Sequence, residues 1–213
     1  MKKATQYIII LAISLSFINM SFAQKAEDVL EELSSKTNSY KNIKTSFAYK
    51  MVNLEAEIDE TTNGTLIVAG NKYHLNIAGQ EVICDGETLW TYLADSEEVQ
   101  INEVSEDEGF SPTKLLSSYN DDYTSKLGDE IIKDGISFYQ INLKPKDKNS
   151  NLDYVVLSVN KELLQLSEFI MYDFDGNVFS YEIKQFVTNS ELPSDSFKFD
   201  TAKYPNLEVI DMR

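Results

Sequence analysis

The stretch Val82-Ile-Cys-Asp-Gly-Glu-Thr-Leu-Trp-Thr-Tyr92 decides how this chain folds. Asp85-Gly86 at its centre is a strong signal for a two-residue hairpin turn, because glycine readily adopts the positive φ that such turns require. The residues on both sides are rich in β-branched and aromatic side chains, which favour strands. The stretch therefore predicts two antiparallel strands joined by a tight turn.

The alternation of apolar and polar residues with a period of two continues on both sides of this hairpin. Because no repeat, linker or low-complexity tract divides the chain, these strands predict a single sheet, and a sheet of this many strands is expected to curl. The sequence thus predicts a mostly β (α+β) fold, an incomplete antiparallel β-barrel of about ten to eleven strands. The other segments with this period are 43–51, 65–68, 73–77, 99–101, 136–143, 152–159, 164–172, 178–187 and 209–210.

Two segments have the period of an amphipathic helix instead. In residues 25–41, Leu30 and Leu33 belong to an apolar face that lies opposite an acidic one. In residues 111–119, a Ser-Pro pair is typical of a helix start. A barrel of about ten strands has an interior that side chains alone do not fill. We therefore expect the two helices to cover a hydrophobic cavity as a lid.

Residues 1–23 have the pattern of a secretory signal peptide. Two lysines precede a short apolar run, and Ser21-Phe22-Ala23 supplies the small residues of a cleavage site. Because the run is short for a membrane span, we interpret it as a leader that is cleaved after Ala23. Residues 24–213 are then expected to form one soluble, monomeric domain that is exported to the periplasm.

The composition of the 213 residues excludes several classes of function. The formal charge of −16 repels phosphate backbones, so the sequence predicts no nucleic-acid partner. The single cysteine, Cys84, cannot form an intrachain disulfide, and the single histidine, His74, leaves no histidine pair for a metal. We expect Cys84 to be a buried thiol, His74 to face solvent, and Asp173–Asn177 to be a hairpin turn and not a calcium loop. Because the sequence offers no nucleophile–base pair and no phosphate-binding loop, it predicts a protein that is not an enzyme and holds no cofactor or metal.

Five motifs follow one another along the chain in a specific order. The most specific is Asp85-Gly-x-x-Leu-Trp-x-Tyr92. The other four are Tyr40-Lys-Asn-Ile-Lys-Thr-Ser-Phe47, Gly64-Thr-Leu-Ile-Val68 with Tyr73-x-Leu75, Pro112-x-x-Leu115-Leu116 and Leu192-Pro-x-x-x-Phe197-x-Phe199. In this order the motifs resemble those of the outer-membrane lipoprotein carrier proteins, the LolA family, over essentially the whole chain after residue 23.

The resemblance implies an incomplete barrel with a helical lid, which binds the acyl chains of lipoproteins. It also implies two partners, the inner-membrane lipoprotein-releasing ABC transporter and, where one is present, an outer-membrane acceptor. We expect the acyl chains to bind between the sheet and the helices, against large apolar and aromatic side chains. These expected ligand contacts are Leu30, Leu33, Phe47, Tyr49, Leu66, Val68, Tyr73, Leu75, Trp90, Tyr92, Leu115, Leu116, Phe138, Phe169 and Tyr181.

One position departs from the family pattern. The family usually has an arginine shortly before the strand that Tyr73-x-Leu75 matches, and this arginine hydrogen-bonds the lid. Ala69 or Gly70 stands at that position here, and the one arginine of the chain is Arg213. We therefore expect the lid to be fastened in another way and to open more easily.

Other functions for the same fold remain open at this point. A periplasmic lipid-binding sensor or adaptor would use the same cavity to detect lipid. A lipid hydrolase would need a nucleophile and a base, which the sequence does not supply. The outer-membrane acceptor of the same pathway is disfavoured, because no cysteine that could carry a lipid anchor follows the cleavage site.

Overall fold

The computed structural model describes residues 25–104, 119 and 121–213. Over these residues it contains one α-helix, thirteen β-strands and a 3₁₀ turn at Thr201–Lys203. The second predicted helix, at 111–119, lies outside the described residues apart from Tyr119. The elements are α1 (Ala26–Asn38), β1 (Ile43–Asn53), β2 (Ile58–Ala69), β3 (Lys72–Ile77), β4 (Gln80–Cys84), β5 (Thr88–Leu93), β6 (Glu98–Glu103), β7 (Tyr123–Leu127), β8 (Ile131–Lys133), β9 (Ile136–Pro145), β10 (Leu152–Asn160), β11 (Gln165–Asp173), β12 (Val178–Thr188) and β13 (Glu208–Asp211).

The strands form one sheet in the order β13-β6-β5-β4-β3-β2-β1-β12-β11-β10-β9-β7, and β8 also pairs with β9. Neighbouring strands are antiparallel, except that β13 runs parallel to β6. Over the described ranges, the end strands β13 and β7 do not pair with each other, so the curled sheet is open. The predicted fold class is therefore confirmed. The sequence prediction missed β7 and β8, because strands of five and three residues are too short to establish a period of two.

The helix α1 begins and ends within the predicted segment. The backbone N–H of Lys25 donates to the carboxylate of Asp28, and acidic residues in the first turn complement the helix dipole. The apolar face of α1 is buried, with Leu30 at 0% and Leu33 at 1% exposure. Within the described residues, no helix has both the length and the apolar character to cross a membrane.

The helix packs inside the curl of the sheet, with contacts to β7 and β11. We call the side of the sheet that α1 covers the concave face and the opposite side the convex face. The buried residues of the concave face and α1 form one hydrophobic cluster, the concave core. It consists of Ala26, Val29, Leu30, Leu33, Ile43, Phe47, Leu66, Val68, Tyr119, Ile141, Leu143, Val155, Leu157, Val159, Leu166 and Phe169.

The hairpin between β4 and β5 forms as predicted but has a longer loop. Three residues, 85–87, separate the strands, where the sequence predicted two. The carboxylate of Asp85 accepts hydrogen bonds from the backbone N–H groups of Glu87 (3.0 Å) and Thr88 (2.8 Å). Gly86 takes the left-handed conformation, with φ of 99°. An aspartate-capped turn thus replaces the two-residue turn.

The turn between β11 and β12 is confirmed. The carboxylate of Asp173 accepts hydrogen bonds from the backbone N–H groups of Asp175 (3.0 Å) and Asn177 (2.8 Å). The side chain of Asn53 at the end of β1 donates to the side-chain oxygen of Asn177 (2.7 Å). These contacts tie the β11–β12 turn to the neighbouring end of β1.

After β12 the chain turns onto the convex face and crosses it before ending in β13. We call residues 189–207 the C-terminal segment. Asn42 fixes its start, because the Asn42 amide donates to the carbonyl of Ser190 (2.9 Å) and accepts from the N–H of Ser190 (3.0 Å). The N–H of Glu208 then donates to the carbonyl of Glu97 (2.9 Å) and places β13 beside β6. The C-terminal segment therefore covers part of the convex face of β3, β4 and β5.

Candidate functional site on the concave face

Ten of the fifteen predicted ligand contacts lie together in the concave core or pack against it. They come from α1, β1, β2, β3, β11 and β12, so the curl brings distant parts of the chain to one surface. None of the buried members of the concave core is charged. Their role in binding stays a prediction. The ten are Leu30, Leu33, Phe47, Tyr49, Leu66, Val68, Tyr73, Leu75, Phe169 and Tyr181.

An aromatic group spans the middle of this surface, centred on Tyr181. Its ring stacks on Phe169 with centroids 4.3 Å apart, and it lies 4.9 Å from Tyr49 and 5.8 Å from Phe47. Burial, and then the neighbouring Tyr49, raises the pKa of Tyr181 to about 12. Burial, and then Glu60, also raises the pKa of Tyr49. Both phenols are therefore neutral at physiological pH, and the surface carries no charge there.

Phe47 and Gly64 fit against each other at the β1–β2 pair. They are opposite each other in the register, and an added Cβ on Gly64 would lie 2.3 Å from the Phe47 ring. The ring thus covers the position that a larger residue would fill. A cleft of about 540 Å³ opens beside the pair, and its lining is mixed: Ile77 and Ala78 are apolar, whereas Asn76 and Lys184 are polar or charged. The cleft therefore touches the concave core at Phe47 but is not an apolar cavity.

Sequence reasoning missed the part of the concave core that β9 and β10 supply. Ile141, Leu143, Leu157 and Val159 are all at most 2% exposed and belong to the concave core. They alternate along their strands, so the period of two within 136–143 and 152–159 was the signal that could have identified them.

Trp90 and Tyr92 were predicted as cavity contacts, and this prediction is wrong. In the strand register, Trp90 pairs with Ile83 of β4 and Ile101 of β6. The residues on either side of Trp90 in β5 lie on the concave side, as Cys84 does, so Trp90 itself faces the convex side. Tyr92 lies on the convex face as well, where its ring is 4.4 Å from Tyr204 of the C-terminal segment. Every residue of β5 is half-buried, because the C-terminal segment covers the face that an exposed strand would turn to solvent.

Phe138 is also misplaced by the sequence prediction. Tyr139 and Ile141 pair opposite the concave residues Val159 and Leu157, so Phe138 alternates to the convex side. It pairs there with Ile131 of β8. Large apolar residues therefore lie on both faces of β9. The sequence prediction assumed that all of them lie on the same face.

Two other predicted contacts, Leu115 and Leu116, lie outside the described residues. The positions where the family arginine was expected are at the end of β2 and in the turn after it. Gly70 has φ of 62°, and no atom outside its chain neighbours lies within 4 Å of an added Cβ. The way in which a lid is fastened therefore stays a prediction.

His74 does not face solvent as predicted, because the C-terminal segment lies over it. Its Nδ1 is 3.1 Å from the carbonyl of Ser196, and its Nε2 is 2.8 Å from Oε1 of Glu81. The hydroxyl of Tyr204 donates to the second carboxylate oxygen of Glu81 (2.9 Å). These contacts lie on the convex face and fasten the C-terminal segment to β3 and β4. The prediction for Cys84 is confirmed, since its side chain is buried at 2% exposure.

The described residues of the concave face are chemically suited to contact with hydrocarbon. The buried surface offers hydrocarbon, aromatic rings and neutral hydroxyls. Among the described residues, no group of three or more histidine, cysteine, aspartate or glutamate side chains could hold a metal ion. Binding here would gain its free energy from transfer of apolar surface out of water.

Comparison with known proteins agrees with this arrangement. The family model for the outer membrane lipoprotein carrier protein LolA matches residues 38–200, which is more than half of the chain. The outer-membrane lipoprotein carrier protein of Shewanella frigidimarina is 27% identical over 218 residues, which cover 100% of this chain and 97% of that protein. The corresponding protein of Francisella philomiragia is 27% identical over 213 residues and covers 92% of this chain and 98% of its own.

The fold has counterparts among solved structures. A conserved protein from Thermus thermophilus superposes with a TM-score of 0.59 at 10% identity, covering 87% of this chain and 98% of that protein. This likeness concerns the fold alone, whereas the family match concerns the sequence over most of its length. The chain belongs to the LolA family of outer-membrane lipoprotein carrier proteins.

Proposed function

We propose that this protein is a periplasmic carrier that binds the acyl chains of lipoproteins against the concave face. The observation that carries the proposal is the concave core itself, an apolar surface without buried charge that lies inside an open curl. The names of the relatives support the same class of cargo. A carrier of this kind binds and releases its cargo without a chemical step.

The energetics of the cargo explain why such a surface is needed. Each methylene group transferred out of water contributes about 0.8 kcal/mol, so an acyl chain of about sixteen carbons contributes on the order of 10 kcal/mol. A lipoprotein leaves a membrane for a soluble carrier only if the carrier offers an apolar surface of comparable quality. It leaves the carrier again when a membrane or a partner offers a slightly better one.

The proposed route begins at the inner membrane and ends at the outer membrane. The leader at 1–23 would export the chain, and cleavage after Ala23 would free the domain 24–213 in the periplasm. An inner-membrane lipoprotein-releasing ABC transporter would load the carrier. An outer-membrane acceptor, where one is present, would receive the cargo.

Adjacent residues of β2 provide a matched pair of variants for the test. Leu66 faces the concave core and is 8% exposed, whereas Ile67 pairs with His74 on the convex face and is half-buried. We expect Leu66→Gln to weaken binding of a triacylated lipopeptide roughly tenfold, because one buried leucine side chain contributes about 1.5–3 kcal/mol. Ile67→Gln should leave this affinity unchanged.

The affinity is measured by displacement of an apolar fluorescent dye, and circular dichroism checks that both variants are folded. Mass spectrometry of an organic extract from the purified periplasmic protein provides a second readout and should identify acylated molecules. The proposal fails if the lipopeptide does not displace the dye from the unmodified protein. It also fails if Ile67→Gln weakens binding as much as Leu66→Gln does.

A further inference from the structure

Two buried hydroxyl groups at the β7 end of the concave face have no hydrogen-bond partner within the described residues. They are Oη of Tyr119 and Oγ of Ser125. Tyr119 is 3% exposed and is part of the concave core. Burial raises the pKa of the Tyr119 phenol, so this group keeps its proton and remains a donor.

Both hydroxyls belong to one short stretch of chain. The N–H of Tyr123 at the start of β7 donates to the carbonyl of Tyr119 (3.2 Å), which holds the Tyr119 backbone against the start of the strand. Ser125 pairs with Leu143 of β9, a residue of the concave core with 2% exposure, so it also faces the concave side. The helix α1 packs against this strand.

An unpaired hydroxyl in an apolar interior lowers stability, and phenylalanine or alanine at these positions would avoid that loss. Native proteins pair nearly all of their buried polar groups, so two exceptions on one surface call for an explanation. A ligand that brings acceptor oxygens to this end of the concave face supplies one. Both hydroxyls can donate, which favours a ligand with acceptor oxygens, and the apolar surroundings disfavour a charged ligand.

We propose that Tyr119 and Ser125 form a subsite that donates hydrogen bonds to the carbonyl oxygens of acyl esters or amides. This inference rests on the proposed function and specifies the part of the cargo that is recognised. The hydrocarbon of an acyl chain would lie on the concave core, and the first polar atoms along the chain are the carbonyl oxygens at its head. The subsite would thereby fix how deeply the chains enter and would favour acylated molecules over other hydrocarbons.

The test compares two lipid probes that differ only in the carbonyl oxygens of their chains. Dipalmitoylglycerol carries two ester carbonyls. Dihexadecylglycerol has two chains of the same length joined by ether bonds and has no carbonyl. Their affinities are measured by displacement of the same apolar dye from the full-length folded protein. For the unmodified protein we expect the ester probe to bind at least tenfold more tightly than the ether probe.

The variants Tyr119→Phe, Ser125→Ala and their combination remove the donors with little change in shape. Each single variant should reduce the preference for the ester probe over the ether probe severalfold. The double variant should abolish this preference by lowering the affinity for the ester probe alone. The thermal unfolding temperature without ligand should stay the same or rise, because an unpaired polar group has been removed. Tyr154→Phe is the matched control: Tyr154 stacks on Tyr172 on the convex face, and its loss should leave the preference unchanged.

The outcomes separate this inference from the proposed function. If neither probe displaces the dye from the unmodified protein, the proposed function fails and the subsite fails with it. If both probes bind but the ester preference is absent, or is the same in the double variant, the subsite is refuted and the carrier function stands. A loss of preference in Tyr154→Phe would also refute it.

Discussion

The contact between Phe47 and Gly64 provides the sharpest test of how the concave face is packed. Replacing Gly64 by alanine places a Cβ at 2.3 Å from Cζ of Phe47, 2.7 Å from its Cε2 and 2.9 Å from the carbonyl oxygen of Asn76. The carbonyl belongs to the backbone of β3 and cannot move alone, and the Phe47 ring is 5% exposed. Overpacking of this kind costs about 1–3 kcal/mol, which outweighs the few tenths to 1 kcal/mol that alanine gains by restricting the unfolded chain.

The measurement is a double-mutant cycle by denaturant unfolding. Gly64→Ala should lower the free energy of unfolding by about 1–3 kcal/mol in the parent protein and by about 1 kcal/mol less in a Phe47→Leu background, where the smaller side chain gives way. Gly128→Ala is the matched control, because its Cβ would meet the flexible side-chain nitrogen of Asn142 at 3.2 Å. It should cost less than about 1 kcal/mol. Equal costs for Gly64→Ala in the two backgrounds would refute the argument that the ring and the glycine are coupled.

Three further variants test other parts of the fold. Leu30→Ala should lower the free energy of unfolding by about 2–5 kcal/mol, because the side chain is fully buried. Glu31→Ala, on the exposed face of α1, should change this free energy by less than about 0.5 kcal/mol. Denaturant titration measures both variants. Burial raises the pKa of Tyr181 to about 12, above the value near 10 of a tyrosine in the unfolded chain. The contribution of the neutral Tyr181 phenol to the stability of the folded state is therefore present below about pH 10 and is lost as the pH rises towards 12. Thermal unfolding from pH 9 to 12 should show a smaller decline for Tyr181→Phe than for the parent. Glu81→Ala removes the acceptor shared by His74 and Tyr204, so amide hydrogen exchange in residues 190–204 should accelerate while that in α1 stays constant.

The sequence predicts the fold class well, because the concave side of most strands is apolar and the alternation is regular. Along β10, Val155, Leu157 and Val159 point to one side, and the pattern alone indicates a strand with one buried face. The helix α1 could be predicted equally well, because its apolar residues form one stripe that faces a single surface. Ten of the predicted contacts lie at the concave core for this reason.

The prediction was wrong where the second face of a strand is covered too. In β5, Trp90 and Tyr92 are the largest side chains, and size alone suggested that they face the cavity. The C-terminal segment lies on the other face, so burial in this strand has no period and cannot tell the two faces apart. His74 was misjudged for the same reason, because the Ser196 carbonyl that it contacts is 122 residues away along the chain. No local pattern encodes a contact of that range.

On the proposed function, the convex contacts of the C-terminal segment contribute stability that does not depend on cargo at the concave face. A curled single sheet that kept all its packing inside the curl would lose stability whenever cargo left. Here Val99 and Ile101 are buried on the convex face of β6, opposite Tyr92 and Trp90, and this packing does not depend on the concave side. Changes on the convex face should therefore lower stability with little effect on affinity, whereas changes in the concave core should alter both. On the proposed function, the convex packing thus supplies stability that does not depend on cargo, whereas the concave core serves both stability and binding.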